Sequence, residues 1–227
     1  MTPLATATPT GIPTGTSGAT TPTITPTAAA PQLCPAAPVT GCEPAGKSVF
    51  RLTNRPDPTT NRLYWQWKLN PATALPNFGD PVSTTQYSLC VYGTAGGVPS
   101  LLLHANVPPG GTCYGFPCWS DLSHPGLHWF RYADVLSHGR DGISRIALRA
   151  NHGPGFKLRL QIQGVGANLP VPTPNGNHLV PQDPDVIVQL INTDGACWQG
   201  LYTIPAVTDR PQKFKDKCGS LSQHACE

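Results

Sequence analysis

Glutamate is almost missing from this chain: among 227 residues only Glu43 and Glu227 are Glu, and Met occurs once. Long helices draw heavily on Ala, Leu, Glu, Lys and Gln, so a helical bundle and a coiled coil are excluded. No apolar run reaches 18 residues, which excludes a membrane-spanning helix. Charged residues are 12% of the chain, about half the usual ~25%. The net charge of +3 is too weak to argue for a nucleic-acid partner. There is no Asn-x-Ser/Thr sequon, so N-glycosylation is not indicated. His-Glu-x-x-His, a Gly-x-Ser-x-Gly elbow in the folded region and a Glu pair for glycoside hydrolysis are missing too. A zinc hydrolase, an α/β-hydrolase and a glycosidase therefore have no motif to rest on.

What is abundant is cysteine, proline and glycine: 8 Cys, 27 Pro and 23 Gly. The closest cysteines, Cys113 and Cys118, have four residues between them, with no second knuckle to complete a metal site. Disulfides are the better reading of Cys34, Cys42, Cys90, Cys113, Cys118, Cys197, Cys218 and Cys226, and they place the chain outside the cytoplasm. Sequence alone allows 105 pairings of eight cysteines. The matching Cys-x7-Cys segments favour Cys34–Cys42 and Cys218–Cys226, leaving Cys90–Cys113 and Cys118–Cys197 within the body. No signal peptide is visible after Met1, so the expectation is a leader already removed or a piece of a longer exported protein.

Residues 1–33 are one compositional block, with eleven Thr and six Pro and no charge. They read as an extended linker or tail, a site for O-glycosylation, or a segment that adds a strand to a neighbouring copy. Residues 34–227 read as a single all-β domain, an antiparallel disulfide-bonded β-sandwich of about nine strands. The expected strands are Ser48–Thr53, Arg62–Leu69, Gln86–Tyr92, Leu101–Val107, His128–Tyr132, Ile143–Ala150, Phe156–Gln163, Val186–Ile191 and Cys197–Ile204. Phe156–Gln163 alternates apolar and polar at every step, so one face is buried and one is wet. Asn192-Thr-Asp-Gly195 is a hairpin loop, and the proline-rich Gly164–Pro184 stretch a surface loop.

Gly41-Cys-Glu-Pro-Ala-Gly-Lys-Ser48 matches a phosphate-binding loop in letters only. Such a loop follows a buried strand and opens a helix; here prolines precede it and a strand follows. The seven histidines form no ligand set, and His124 and His128 are separated by Pro125-Gly126, which prevents a shared helix face. Asp183, Asp185 and Asp194 are a weak calcium candidate, and turn formers first. No cofactor is implied. In Tyr64-Trp-Gln-Trp67 the two tryptophans share one strand face about 7 Å apart. Exposed, Trp65 and Trp67, with Trp129 and Tyr132, would form a platform for sugar rings; buried, they would fill the sandwich. Trp119 and Trp198 each follow a cysteine and so point to the opposite strand face from it. Lys213, Lys215 and Lys217 alternate with Phe214 and Asp216 and read as a solvated edge, open to a weak attraction for anionic polymer.

The segments Gly110-Gly-Thr-Cys113, Pro117-Cys-Trp119, Asp141-Gly-Ile143, Val188-Gln-Leu-Ile-Asn192 and Cys197-Trp198 carry a resemblance, joined by Tyr87–Tyr92, Trp65–Lys68 and Gln212–Lys215. Over roughly residues 46–217 the chain resembles a group of secreted, cysteine-containing β-rich modules of environmental bacteria. The resemblance implies secretion and β structure, and assigns no catalytic residue. The expected function is an extracellular or cell-surface structural module rather than an enzyme, with self-assembly through its tail as one form of it. The alternative is a carbohydrate- or polymer-binding module that uses exposed aromatic residues. The partners expected are an extracellular or cell-surface polymer or copies of the chain, with no nucleic acid and no membrane span.

Overall fold

The computed structural model describes residues 33–69, 77–134, 136, 140–151, 157–219 and 226. Residues 1–32, on which the linker and tail-assembly readings rest, lie outside the described residues, as do Phe156 and His138. The described chain is all-β and contains no α-helix. In order the strands are β1 (Glu43–Pro44), β2 (Lys47–Thr53), β3 (Arg62–Leu69), β4 (Tyr87–Ala95), β5 (Val98–Val107), β6 (Thr112–Cys113), β7 (Phe116–Pro117) and β8 (Trp119–Asp121). They continue with β9 (Leu127–Ala133), β10 (Ile143–Asn151), β11 (Lys157–Val165), β12 (Asp185–Asn192), β13 (Cys197–Thr203), β14 (Thr208–Arg210) and β15 (Lys213–Gly219). The nine expected strands are all present, and the Asn192–Gly195 turn joins β12 to β13 as a hairpin.

Five strands pair in the order β1-β13-β12-β4-β5 and eight in the order β14-β15-β2-β3-β11-β10-β9-β8; β6 and β7 form a separate ribbon. Alternation sends every second side chain of both sheets into one shared core. From the eight-stranded sheet come Phe50, Trp65, Trp67, Leu148, Leu160 and Phe214; from the five-stranded sheet come Tyr87, Leu89, Val188, Leu190, Trp198 and Tyr202. Trp198 stacks on Tyr87 at 6.5 Å between ring centroids, and Trp119 packs against Tyr87 at 5.7 Å. Both cysteine-adjacent tryptophans thus face the core. Gly164–Pro184 is more than a surface loop, because Leu169, Leu179 and Val180 are buried in the core. Gly142 makes room for it: a Cβ there would lie 2.6 Å from the Leu169 nitrogen.

A polar chain crosses the core. The Trp65 indole donates to the Tyr202 hydroxyl at 3.0 Å, Tyr202 bonds Ser48 at 2.5 Å, and Ser48 donates to the Gln66 carbonyl at 2.8 Å. Burial pushes the Tyr202 phenol well above its ordinary range. Tyr202→Phe strands the indole N–H in an apolar core, so it should cost about 1–3 kcal/mol. Urea unfolding checks this; a loss below about 0.5 kcal/mol would mean that the chain of hydrogen bonds contributes little.

The four disulfides are Cys34–Cys90, Cys42–Cys197, Cys113–Cys118 and Cys218–Cys226. Only the last matches the expected pairing, so Cys34–Cys42, Cys90–Cys113 and Cys118–Cys197 are corrected. The reason is a strap. Residues 33–44 cross the outer face of the five-stranded sheet, pinned at β4 by Cys34–Cys90 and at β13 by Cys42–Cys197. Between those pins the Val39 backbone exchanges two hydrogen bonds with the Gln189 side chain on β12, at 3.0 and 2.7 Å. β1 then pairs in parallel with β13. Beneath the strap lies a second small core of Cys34, Cys90, Tyr92 and Ile191, flanked by Leu33, Leu101 and Ile187. Consequently β4 is buried on both faces from Tyr87 to Thr94. The strap would have been invisible as such: two residues of β1 and a run of turns carry no periodicity.

Candidate functional site

With one sheet sealed by the strap, the outer face of the eight-stranded sheet is the broad open surface. Its composition follows from alternation, since each inward Phe, Trp, Leu or Ile is flanked by outward residues. β15 turns Lys213, Lys215 and Lys217 outward, and β2 adds Lys47 and Arg51. β3 contributes Arg62 and Lys68, and β11 contributes Arg159. β10 and β9 add Arg145, Arg149 and Arg131. With Arg210 of β14, which registers opposite Lys213, twelve of the fifteen Lys and Arg residues of the chain therefore stand on this one face. The three carboxylates on the same eight strands, Asp121, Asp209 and Asp216, register beside the core-facing Phe130, Phe214 and Phe50. The six strands from β15 to β9 span about 24 Å at ~4.8 Å per strand.

The register places like charges directly opposite one another. Lys47 faces Lys68, Lys68 faces Arg159, and Arg159 faces Arg149, a row of four cations over four strands that ends at Trp129. Lys215 faces Arg51 two rows away, beyond the row of Lys217, Val49 and Gln66. Opposed like charges in a sheet each cost roughly 0.2–1 kcal/mol. Neighbours about 5 Å apart lie within the ~8 Å screening length of physiological salt, so their fields add. None of the twelve has an ion-pair partner among the described residues, where the one ion pair is His178–Asp209. No described carboxylate therefore offsets that cost.

Three of the arginines are held in place. Arg149 lies over the Trp129 ring at 5.2 Å and Arg51 over Tyr64 at 5.5 Å, contacts worth about 0.5–1 kcal/mol at exposed sites. Arg159 donates to Gln161 at 2.6 Å, and Gln66 donates to the Tyr64 hydroxyl at 2.7 Å. Such guanidinium forks are matched to planar and tetrahedral oxyanions.

The sequence-derived candidates divide sharply. Trp65 and Trp67 are fully buried and Tyr132 is 5% exposed, so none is part of a surface platform. Their partners across the register, Phe50, Ile162 and Ile146 among them, are core residues. Burial pushes the Tyr132 phenol up to about 12. Trp129 alone is half-exposed on the open face. Asp185 and Asp194 flank opposite ends of β12, roughly 25 Å apart at ~3.3 Å per residue, so the calcium trio does not converge. Asp183 instead accepts from the Gly96 amide, and Asp194 from Thr85. No group of three His, Cys, Asp or Glu among the described residues is placed to hold a metal. The phosphate-loop match falls on β1 and β2, with Cys42 in a disulfide. Lys213–Lys217 is not the sheet edge, because β14 pairs outside it.

Of the basic face, only Lys213, Lys215 and Lys217 stand out in the sequence, and there as an edge. A net charge of +3 averages over the chain, whereas strand alternation segregates charge by face. The available signal was the period-two placement of Lys and Arg within strands already recognised. In comparisons with known protein families, curated proteins and solved structures, the chain matches none.

Proposed function

We propose that this protein is an extracellular β-sandwich module that binds an acidic polysaccharide across the outer face of its eight-stranded sheet. The single observation that carries the reading is the row Lys47–Lys68–Arg159–Arg149, where like charges stand in direct register without any carboxylate between them. A fold that tolerates such repulsion gains when a polyanion covers it. Four disulfides fit an oxidising compartment. Among the described residues, no helix is long and apolar enough to cross a membrane.

A polysaccharide is favoured over nucleic acid on two grounds. The face is a sheet without a helix or ribbon to enter a major groove. Its two aromatic rings, Trp129 and Tyr64, each carry an arginine over the ring instead of offering an open π-surface to a base.

The test is equilibrium binding to dextran sulfate, polygalacturonate, neutral dextran and single-stranded DNA at 50 and 200 mM salt. The expected result is binding to the two acidic glycans that weakens steeply with salt, because counterion release gains less entropy at higher salt, and none to neutral dextran. Equal binding to neutral dextran, or tighter binding to DNA than to either glycan, would overturn the proposal.

A further inference from the structure

The basic face is not uniform. Between β15, β2 and β3 it holds a depression of about 250 Å³ lined by Lys47, Val49, Gln66, Lys68, Lys217 and Cys218. Its origin lies in the register: Val49 stands between Lys217 on one neighbouring strand and Gln66 on the other. Two residues earlier on the same face, Lys47 stands opposite Lys68. A short branched side chain thus forms the floor, and long cationic chains form the rim. Gly219, opposite Lys47, has φ +105°, and a Cβ there would lie 3.0 Å from Lys47 Cγ. The glycine leaves the Lys47 stem its place.

The rim chemistry differs from that of the rest of the face. Here all three cations are lysines, compact ammonium charges with rotatable donors, whereas the β10–β11 half carries arginine forks. Three ammonium groups around a closed floor suit one compact oxyanion approached from several sides. The depression measures about 250 Å³. It falls below the ~300–1,000 Å³ of pockets that engulf a drug-sized ligand, so it fits one charged group with part of the ring that bears it.

Resting on the polysaccharide-binding reading above, we infer that this depression is a discrete subsite for one sulfate or carboxylate group of the bound polymer. It anchors a single acidic sugar unit, while the arginine half of the face tracks the remainder. The polymer is then held in one lateral position rather than sliding freely over the sheet.

The experiment is an amide-resolved NMR titration with sodium sulfate and with glucuronate, ionic strength held constant with sodium chloride, alongside dextran sulfate binding. Wild-type protein should show saturable shifts at the Val49, Gln66 and Lys217 amides. Lys47→Ala/Lys217→Ala should abolish the saturation and weaken dextran sulfate binding about fivefold. Val49→Phe, which fills the floor and keeps every charge, should abolish the saturation as well. Shifts spread evenly over the face without saturation, or a Val49→Phe protein that binds sulfate like wild type, would overturn the subsite while dextran sulfate binding by wild type persists. Failure of wild type to bind dextran sulfate would instead remove the reading on which the subsite rests.

Discussion

Replacing Lys47, Lys68, Arg149 and Arg159 together with glutamine should lower the affinity for a sulfated polysaccharide on the order of a hundredfold. These four residues form one cross-strand row. Each exposed ion pair with the polymer contributes roughly 0.2–1 kcal/mol, and a tenfold change in affinity is about 1.4 kcal/mol. The same substitutions remove three opposed like-charge pairs, together roughly 0.6–3 kcal/mol, and lose the Arg149–Trp129 contact of about 0.5–1 kcal/mol, so the unliganded protein should gain on the order of 1 kcal/mol of stability at low salt. That gain should fade at 1 M salt, where the screening length falls to about 3 Å. Fluorescence anisotropy with labelled dextran sulfate reads the first effect and urea unfolding the second. A variant that binds like wild type would remove the row from the binding site.

Breaking Cys42–Cys197 with a pair of serines should destabilise the protein by about 3–5 kcal/mol. This bond joins residues 155 apart, while Cys113–Cys118 spans 5. Restriction of the unfolded chain grows with loop length, so removing the short bridge should cost distinctly less. The long bridge also anchors the strap, whose Val39 backbone satisfies the buried Gln189 amide. Typical domains are stable by only 5–15 kcal/mol, so a loss of this size would be visible in any unfolding curve. Urea unfolding of both variants under oxidising conditions tests the order, and a larger loss from Cys113–Cys118 would contradict it. Since the strap lies on the five-stranded sheet, the folded variant should keep its affinity for dextran sulfate.

The sandwich was legible because its long strands announce themselves. Arg62–Leu69 appears with the expected bounds, and the alternation in Leu158–Gln163 places one face inward as read. Short elements carry too few residues for any periodicity, which is why β1, β6, β7, β8 and β14 went unread, while the seven residues of β15 were read as a solvated edge and not among the nine strands. Disulfide partners depend on which strands become neighbours, and local spacing found only Cys218–Cys226. For the site, attention to aromatic residues led inward: Trp65 and Trp67 lie on the buried face of the strand whose other face carries Arg62 and Lys68. The basic face lies in the residues that alternate with the core-facing ones, Arg62 and Lys68 on this strand. Charge counted per chain hid it, whereas charge counted per strand face reveals it.

The most direct test is thermal unfolding, at low salt, of wild type and the four-glutamine variant, each with and without dextran sulfate. The basic face, if built for a polyanion, predicts a crossing: the variant melts higher alone, and wild type gains the larger shift from the polymer. A variant that melts no higher alone, with the polymer shifting both proteins equally, would contradict the claim that this row of cations exists to bind.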